Sequence, residues 1–359
     1  MTPSVQFALV ALLALAPLRS RAYEIQPADG MHEAMTVQSI ECARAAKGLP
    51  ITSCPRKPLV DLKVRRLQNT EDYQKVFSVN WPDGPTGIHA VSALIRTGLT
   101  YKKCTEYFDQ MGANTNLFCR SHYGDLQFFH AMANQPNESA DVVRARILAW
   151  AQFLYGVATS EIAPDEDVCT LFGRETVAGA RFEALAGLWG GDATVCKPNA
   201  HWTVYTLFNW KCSNLFSWNK CKMGVESDGS WTRARAVGAL LHMIQDSFAL
   251  GHTDRLVNDD ATQAMCGRAL VSCNVVREFH SYRGQDSKKH GMSDQWPAFD
   301  SSCFVPERAV DDPIVAGAWV LKSIELKRSW AEVKRDLGDR VFPIANAVAR
   351  PSSVGECFK

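Results

Sequence analysis

Apolar residues recur at helical spacing along most of the chain. In the segment 140–159, Val143, Ile147, Trp150 and Leu154 fall on one side of a 3.6-residue repeat. Charged residues, among them Asp141, Arg144 and Arg146, lie at other positions of the repeat. The pattern predicts an amphipathic helix whose apolar side is buried.

Three further stretches have the same periodicity, and another helix begins at Gly30. The three stretches are residues 175–188, 232–249 and 313–337. Strand-like alternation is scarce, and the Cys-, Trp- and Asn-rich segment 197–230 is typical of an irregular insertion. No repeat, low-complexity tract or long linker divides the chain. We therefore predict an all-α fold class with a single mostly helical domain.

The first 22 residues are typical of a secretory signal peptide. Val5 to Leu18 form an apolar run that is too short for a comfortable membrane span. Ser20 and Ala22 place small residues where a signal peptidase cleaves. We expect residues 1–22 to be removed, residues 23–359 to form the mature domain, and the protein to be secreted or periplasmic. An uncleaved membrane anchor is the alternative, because no Lys or Arg precedes the apolar run.

Composition and charge narrow the class of protein. The chain is 46% hydrophobic and 21% charged, as globular proteins are, and its formal net charge is +1. This charge gives no electrostatic argument for nucleic acid or an anionic membrane. Twelve cysteines in an apparently secreted chain predict loops pinned by disulfides, with the connectivity left open. The pairs that are close in sequence are Cys42/Cys54, Cys104/Cys119, Cys212/Cys221 and Cys266/Cys273.

The segment 240–252 contains the most informative set of polar residues. His242 and Asp246 are one helical turn apart and project from the same side of a helix, while His252 follows six residues later. A carboxylate in such an apolar run is costly unless a partner or a metal compensates its charge. Zinc accepts both side-chain types as ligands. A buried His–Asp hydrogen-bonded pair is the alternative, and His252 favours the metal.

This spacing resembles that of the bacterial zinc-dependent phospholipase C family and of the single-strand-specific nucleases that share its fold. The resemblance implies that Asp246 bridges two zinc ions, that His242 binds one of them and that His252 binds a neighbouring zinc. Family members have a Pro shortly before the last His, where this chain has Ala-Leu-Gly at 249–251. The three side chains converge only if the helix breaks between Asp246 and His252.

A second pair with the same spacing lies downstream. His290 and Asp294 match the family's His and acidic residue that complete the zinc bound by His252. His280 is the competing candidate, but Gly284 stands four residues after it. The resemblance therefore favours His290 and Asp294.

Residues 122–125 read His-Tyr-Gly-Asp and are similar to the family's His-Phe-x-Asp segment. The resemblance implies that His122 binds the zinc shared with His242 and Asp246. Asp125 would then orient an imidazole or an arginine. We expect His130, which lies in an aromatic run, to be a core packing residue.

The Trp-Pro-Asp sequence at 81–83 resembles the Trp-Ala-Asp of the nuclease branch, whose Asp binds zinc and acts as the base for the attacking water. The predicted catalytic residue is therefore Asp83. The same residues also suit a turn without a function, and Asp109 is the fallback. His89 and His201 have no motif context, and we expect them to be structural.

In the family, the mature N-terminal residue binds a third zinc through its amino group, together with a nearby His. Cleavage after Ala22 would place Tyr23 first and His32 nine residues later. The family begins with Trp, so Tyr23 departs from the pattern.

The resemblance thus implies about three zinc ions per chain. The first would take Asp83, His122, His242 and Asp246; the second His252, His290, Asp294 and water; the third Tyr23, His32 and Asp246.

The implied activity is that of a zinc-dependent phosphoric diester hydrolase. The leading prediction is a phospholipase C that cleaves phospholipid headgroup esters at a membrane or vesicle surface by metal-activated water. One alternative is a nuclease acting on single-stranded nucleic acid, because the aromatic stretch 202–218 suits either a lipid interface or a base. Another is a secreted protein whose zinc is purely structural. We infer no obligate protein partner.

Overall fold

Helices dominate the computed structural model of the protein, as the apolar periodicity predicts. The structure describes residues 30–51, 54, 70–83, 117–173, 181–186, 203–212, 221–223, 229–255, 275–286, 289–290 and 312–359. The α-helices in this part of the chain are α1 Met31–Ala45, α2 Glu71–Ser78, α3 Leu117–Tyr123, α4 Ala140–Ala158, α5 Val168–Phe172, α6 Val204–Asn209, α7 Gly229–Asp246, α8 Pro313–Glu325 and α9 Trp330–Asp336.

Helix α7 lies at the centre and is buried on nearly all sides from Thr232 to Asp246. It packs against α2, α4, α6 and α8. Gly238 allows α2 to approach, because a Cβ atom there would clash with the Ser78 carbonyl group. The helix ends at Asp246, three residues before the predicted end. The chain therefore turns between Asp246 and His252, as convergence of their side chains requires.

Helix α4 confirms the amphipathic prediction almost residue for residue. Ser139 caps it by accepting a hydrogen bond from the Val142 backbone N–H, and the helix runs for 19 residues. Trp150 is fully buried and stacks on Phe129 with ring centroids 4.3 Å apart. This contact fixes the 3₁₀ turn Gln127–His130 against the core.

Helices α1 and α8 form a second packed pair. Asp312 caps α8 by accepting hydrogen bonds from two backbone N–H groups, and Pro313 occupies the first turn. Beyond the end of α1, Cys54 forms a disulfide with Cys42, which is one of the pairs close in sequence. Cys169 and Cys357 are also disulfide-bonded.

Strands are few in the described segments. They form two antiparallel pairs, β1 Trp210–Cys212 with β2 Cys221–Met223 and β3 Thr253–Arg255 with β4 Val276–Phe279. The first pair aligns Cys212 with Cys221. Segment 197–230 is therefore more regular than expected, since it contains α6 and this hairpin.

Two predicted helices were wrong in extent. Of segment 175–188 the structure describes residues 181–186, which form a turn and the 3₁₀ helix Glu183–Leu185. Segment 313–337 is two helices, because Lys327 adopts a left-handed φ of 48° and a Ser329/Glu332 capping box starts α9. A π-helical turn, Leu337–Val341, follows α9.

Candidate metal centre

The C-terminal end of α7 supplies the central pair of the site. His242 and Asp246 face the same way because they are one turn apart, and each side chain is at most 2% exposed. The distance from His242 Nε2 to Asp246 Oδ2 is 2.9 Å. A carboxylate buried in this way requires partners that compensate its charge, and His242 is one of them.

The 3₁₀ turn between α3 and α4 brings in His130. Its Nδ1 lies 2.9 Å from Asp246 Oδ2 and 3.0 Å from His242 Nε2. His130 was expected to be a core residue, and its ring is fully buried; one of its nitrogens is directed at the Asp246 carboxylate, where a metal ligand would also lie. The aromatic neighbours suggested a packing role, but those rings, stacked on α4, position the turn that carries His130.

Asp83 reaches the same point from the segment that follows α2. Its Oδ1 lies 3.5 Å from His242 Nε2 and 3.8 Å from His130 Nδ1. His122 is further out, with its Nε2 at 3.9 Å from Asp83 Oδ1 and its side chain 13% exposed. His122 therefore lies at the edge of the group, whereas His130 lies at its centre.

Four residues bring side-chain donor atoms to one point, and we call them the inner cluster: Asp83, His130, His242 and Asp246. Five of the six separations among these atoms run from 2.9 to 3.8 Å. Ligand bonds of about 2.0–2.1 Å at tetrahedral angles place neighbouring donors roughly 3.3 Å apart, inside that range. Two of these residues, Asp83 and His130, form with His122 a group that could hold a metal ion.

The second oxygen of Asp246 faces a different histidine. His32, on α1, places its Nε2 3.4 Å from Asp246 Oδ1, and its ring stacks on that of His242 at 4.0 Å. His32, His242 and Asp246 form a second group that could hold a metal ion. Asp246 thus presents one oxygen to each of two adjacent groups, as a bridging carboxylate does.

His252 and His290 lie together on a third side, with ring centroids 5.0 Å apart. The Nδ1–H of His252 donates to the backbone carbonyl of His130 at 2.8 Å. This bond leaves the His252 Nε2 as the nitrogen free of a proton in the neutral ring. Tyr282 touches both rings, at 5.6 and 4.6 Å between centroids.

Electrostatics divide the histidines into two kinds. Burial lowers the pKa of His242 to about 4 and that of His130 below its ordinary value, so both rings are neutral and ready to bind a cation. Burial also disfavours a charge on His32, but the hydrogen bond and charge of Asp246 outweigh it and raise that pKa to about 9. Burial would raise the pKa of Asp246, but the surrounding histidines hold it well below its usual range.

The structure adds a buried acid that the motifs do not reveal. Glu33 follows His32 on α1, is 3% exposed and accepts a hydrogen bond from Asn80 Nδ2. Burial raises the pKa of Glu33 to about 7, with Asp83 contributing in the same direction. Its signal in the sequence was only its position beside a candidate ligand.

The site approaches solvent near His122, where Tyr123 and Tyr282 are partly buried. The His122 ring centroid lies 6.1 Å from that of Tyr123 and 5.7 Å from that of Tyr282. Asp125 lies beside this edge and forms two hydrogen bonds of 2.7 Å with Arg120, so it orients an arginine.

Several other candidates lie away from the cluster or beyond the described residues. His280 directs Nδ1 to the Gly251 carbonyl at 3.3 Å and packs against Phe358. The residues that fall outside the described segments are Tyr23, His89, Asp109, His201 and Asp294.

Comparison with known proteins finds no matching family model, curated sequence or solved structure. The resemblance to the zinc phospholipases therefore stays a prediction from the motifs. Among the described helices, none is both long and apolar enough to cross a membrane.

Proposed function

We propose that this protein is a zinc-dependent phosphoric diester hydrolase of the phospholipase C type. The observation that carries the proposal is the placement of Asp246, whose two oxygens face two adjacent buried histidine groups. Pairs of close metal ions that share a carboxylate are typical of enzymes that cleave phosphate esters.

Each residue of the centre has a role that follows from its charge and position. Asp246 supplies the negative charge that allows two cations to lie close together. His242 and His130, neutral at pH 7, bind without first losing a proton. Zinc held there would polarise a phosphoryl oxygen and lower the pKa of a water molecule.

Asp83 is the residue that we propose as the general base. Its carboxylate lies between His242 and the more exposed His122, so water that enters from the edge passes close to it. A carboxylate in this position accepts a proton from water as the water attacks phosphorus. The partly buried Tyr123 and Tyr282 line the same edge and would contact the substrate.

Phospholipid is the preferred substrate class because a formal net charge of +1 gives no electrostatic argument for a polyanionic nucleic acid. A single-strand-specific nuclease is the second candidate, since the two tyrosine rings at the edge could stack on a base. Structural zinc is the third, because the inner cluster alone offers four protein donors, as closed structural sites do. The adjacent group of His32, His242 and Asp246 favours an enzyme, because three protein ligands leave a position for water, as catalytic zinc sites do.

The test is to incubate the zinc-loaded protein with phosphatidylcholine vesicles and with single-stranded DNA in parallel, with and without a chelator. We expect chelator-sensitive release of diacylglycerol, and loss of at least 100-fold in rate for Asp83→Asn. Asp72→Asn is the matched control, because Asp72 is a buried aspartate in an ion pair with Arg44 outside the cluster. Release of nucleotides alone would establish the nuclease. A metal-loaded protein without activity on either substrate would indicate structural zinc.

A further inference from the structure

His32 has a particular requirement if it is to bind a metal beside Asp246. Its Nε2 faces Asp246 Oδ1, so that nitrogen must be free of a proton and Nδ1 must carry it. A neutral imidazole can adopt either tautomer. The tautomer is fixed by whatever the other nitrogen contacts.

That contact is Gln245, the residue before Asp246 on α7. Its Oε1 lies 2.6 Å from His32 Nδ1, and its Nε2 donates to Thr36 Oγ1 at 3.0 Å. In this orientation the amide nitrogen donates to Thr36 and the oxygen accepts the Nδ1–H of His32. Gln245 and Thr36 are both fully buried, so water does not compete for these groups.

We propose that Gln245 is a positioning residue that holds His32 in the Nδ1–H tautomer with Nε2 directed at the metal site. The inference rests on the proposed zinc centre. Thr36, Gln245 and His32 form a continuous hydrogen-bonded chain that ends at Asp246. Because Thr36 and His32 lie on α1, the chain also fixes the position of α1 against α7.

By contrast, the remote nitrogens of the two neutral histidines of the inner cluster have no such support. His130 Nε2 and His242 Nδ1 have no hydrogen-bond partner among the described residues. Their described contacts are made by the nitrogens that face the inner cluster, with Asp246 and with each other. In His32, Gln245 contacts Nδ1, the nitrogen that points away from Asp246. Mutation of Gln245 therefore tests the ligand role of His32 without replacing a residue of the inner cluster.

Two substitutions separate positioning from packing. Gln245→Met keeps the length and burial of the side chain but removes the acceptor, so zinc affinity should fall about 10–100-fold, the usual effect of losing such a partner. Gln245→Glu retains an acceptor for Nδ1–H, and Thr36 can donate to the carboxylate. We expect Gln245→Glu to keep zinc affinity within a few-fold of the wild type.

Ser39→Ala is the matched control on the same helix. Its hydroxyl is fully buried and donates to the carbonyls of Met35 and Ile314, at 2.9 and 3.0 Å. Its loss should lower stability without changing zinc affinity.

Two measurements on the full chain test the proposal: zinc competition titration with a chromophoric chelator, and ¹⁵N NMR of the histidine rings. The His32 resonances are identified by their absence in His32→Asn. In metal-free protein above pH 9, the share of His32 that carries its proton on Nδ1 should be larger in the wild type and Gln245→Glu than in Gln245→Met, which keeps only Asp246, at Nε2, as an acceptor.

Wild-type zinc affinity in Gln245→Met, or equal losses in Gln245→Met and Gln245→Glu, would overturn the inference while leaving the proposed function intact. A wild type that binds no zinc would instead remove the proposed function, and the role of Gln245 as a positioning residue with it.

Discussion

Replacement of Asp246 by Asn tests the centre most directly, because the change keeps size and removes one charge. Four histidine nitrogens lie within 3.7 Å of the Asp246 oxygens, those of His32, His130, His242 and His252. In metal-free protein the main charged partner is His32, whose pKa is raised to about 9 by Asp246. The substitution should therefore have a pH-dependent cost before any metal is added.

The size of that cost follows from the His32 pKa. Because the folded pKa exceeds the unfolded value of 6.5, the folded state binds the proton more tightly and is stabilised at low pH. At about 1.4 kcal/mol for each tenfold change in proton affinity, the contribution is about 3 kcal/mol below pH 6.5. A smaller part of it remains at pH 7, and the contribution is lost as pH rises through 9.

The assay is urea unfolding of both proteins in chelator at several pH values from 6 to 10. We expect the difference in free energy of unfolding to shrink towards zero at the top of this range. Zinc at 100 times its dissociation constant should stabilise the wild type by about 2.7 kcal/mol and should not stabilise the variant. Asp72→Asn is again the control and should keep the zinc response.

A difference that stays constant with pH would refute the assignment of Asp246 as the partner of a protonated His32. Equal zinc stabilisation of the wild type and the variant would refute its role as a shared metal ligand.

Three further outcomes are expected. His130→Ala should lower zinc affinity more than His122→Ala does, because His130 lies in the inner cluster and His122 at its edge. Competition with a chelator compares the two affinities, and the reverse order would contradict this geometry. Zinc binding at pH 7 should release a proton from His32, so zinc affinity should rise with pH towards 9. Calorimetry in buffers of different ionisation enthalpy detects the released proton, and a binding heat that is the same in every buffer would contradict its release. Gly238→Ala should destabilise the protein by several kcal/mol despite the better helix propensity of Ala. Gly48→Ala should be near neutral, because there is open space around Gly48. Thermal unfolding measures both variants, and a stabilised Gly238→Ala would refute the close packing.

The fold was predictable where apolar periodicity is local and strong. Helix α4 follows from the apolar side that Val143 and Trp150 mark, and α7 follows from its apolar run. The break between α8 and α9 was missed because Ser329 and Glu332 form a capping box inside a stretch that remains periodic. The capping box therefore starts a new helix, although the apolar periodicity continues across the break.

The candidate site was predictable for residues on one helix and less so for residues brought together from afar. His242 and Asp246 are fixed by the 3.6-residue repeat alone. His130 was assigned to the core because aromatic neighbours usually mean packing, and its position depends on a contact 116 residues away. Gln245 carries no motif, and its role emerges only when α1 lies against α7.

His130 contributes to two sides of the centre at once, its ring to the inner cluster and its backbone carbonyl to His252. The next residue, Ala131, holds a left-handed φ of 53°, a conformation that costs a non-glycine residue about 1 kcal/mol or more. The distance between the inner cluster and His252 therefore depends on the conformation of one residue, His130. Thermal displacement of this turn would carry both ligands in the same direction, so the distance between the two sides would vary less than the position of either one.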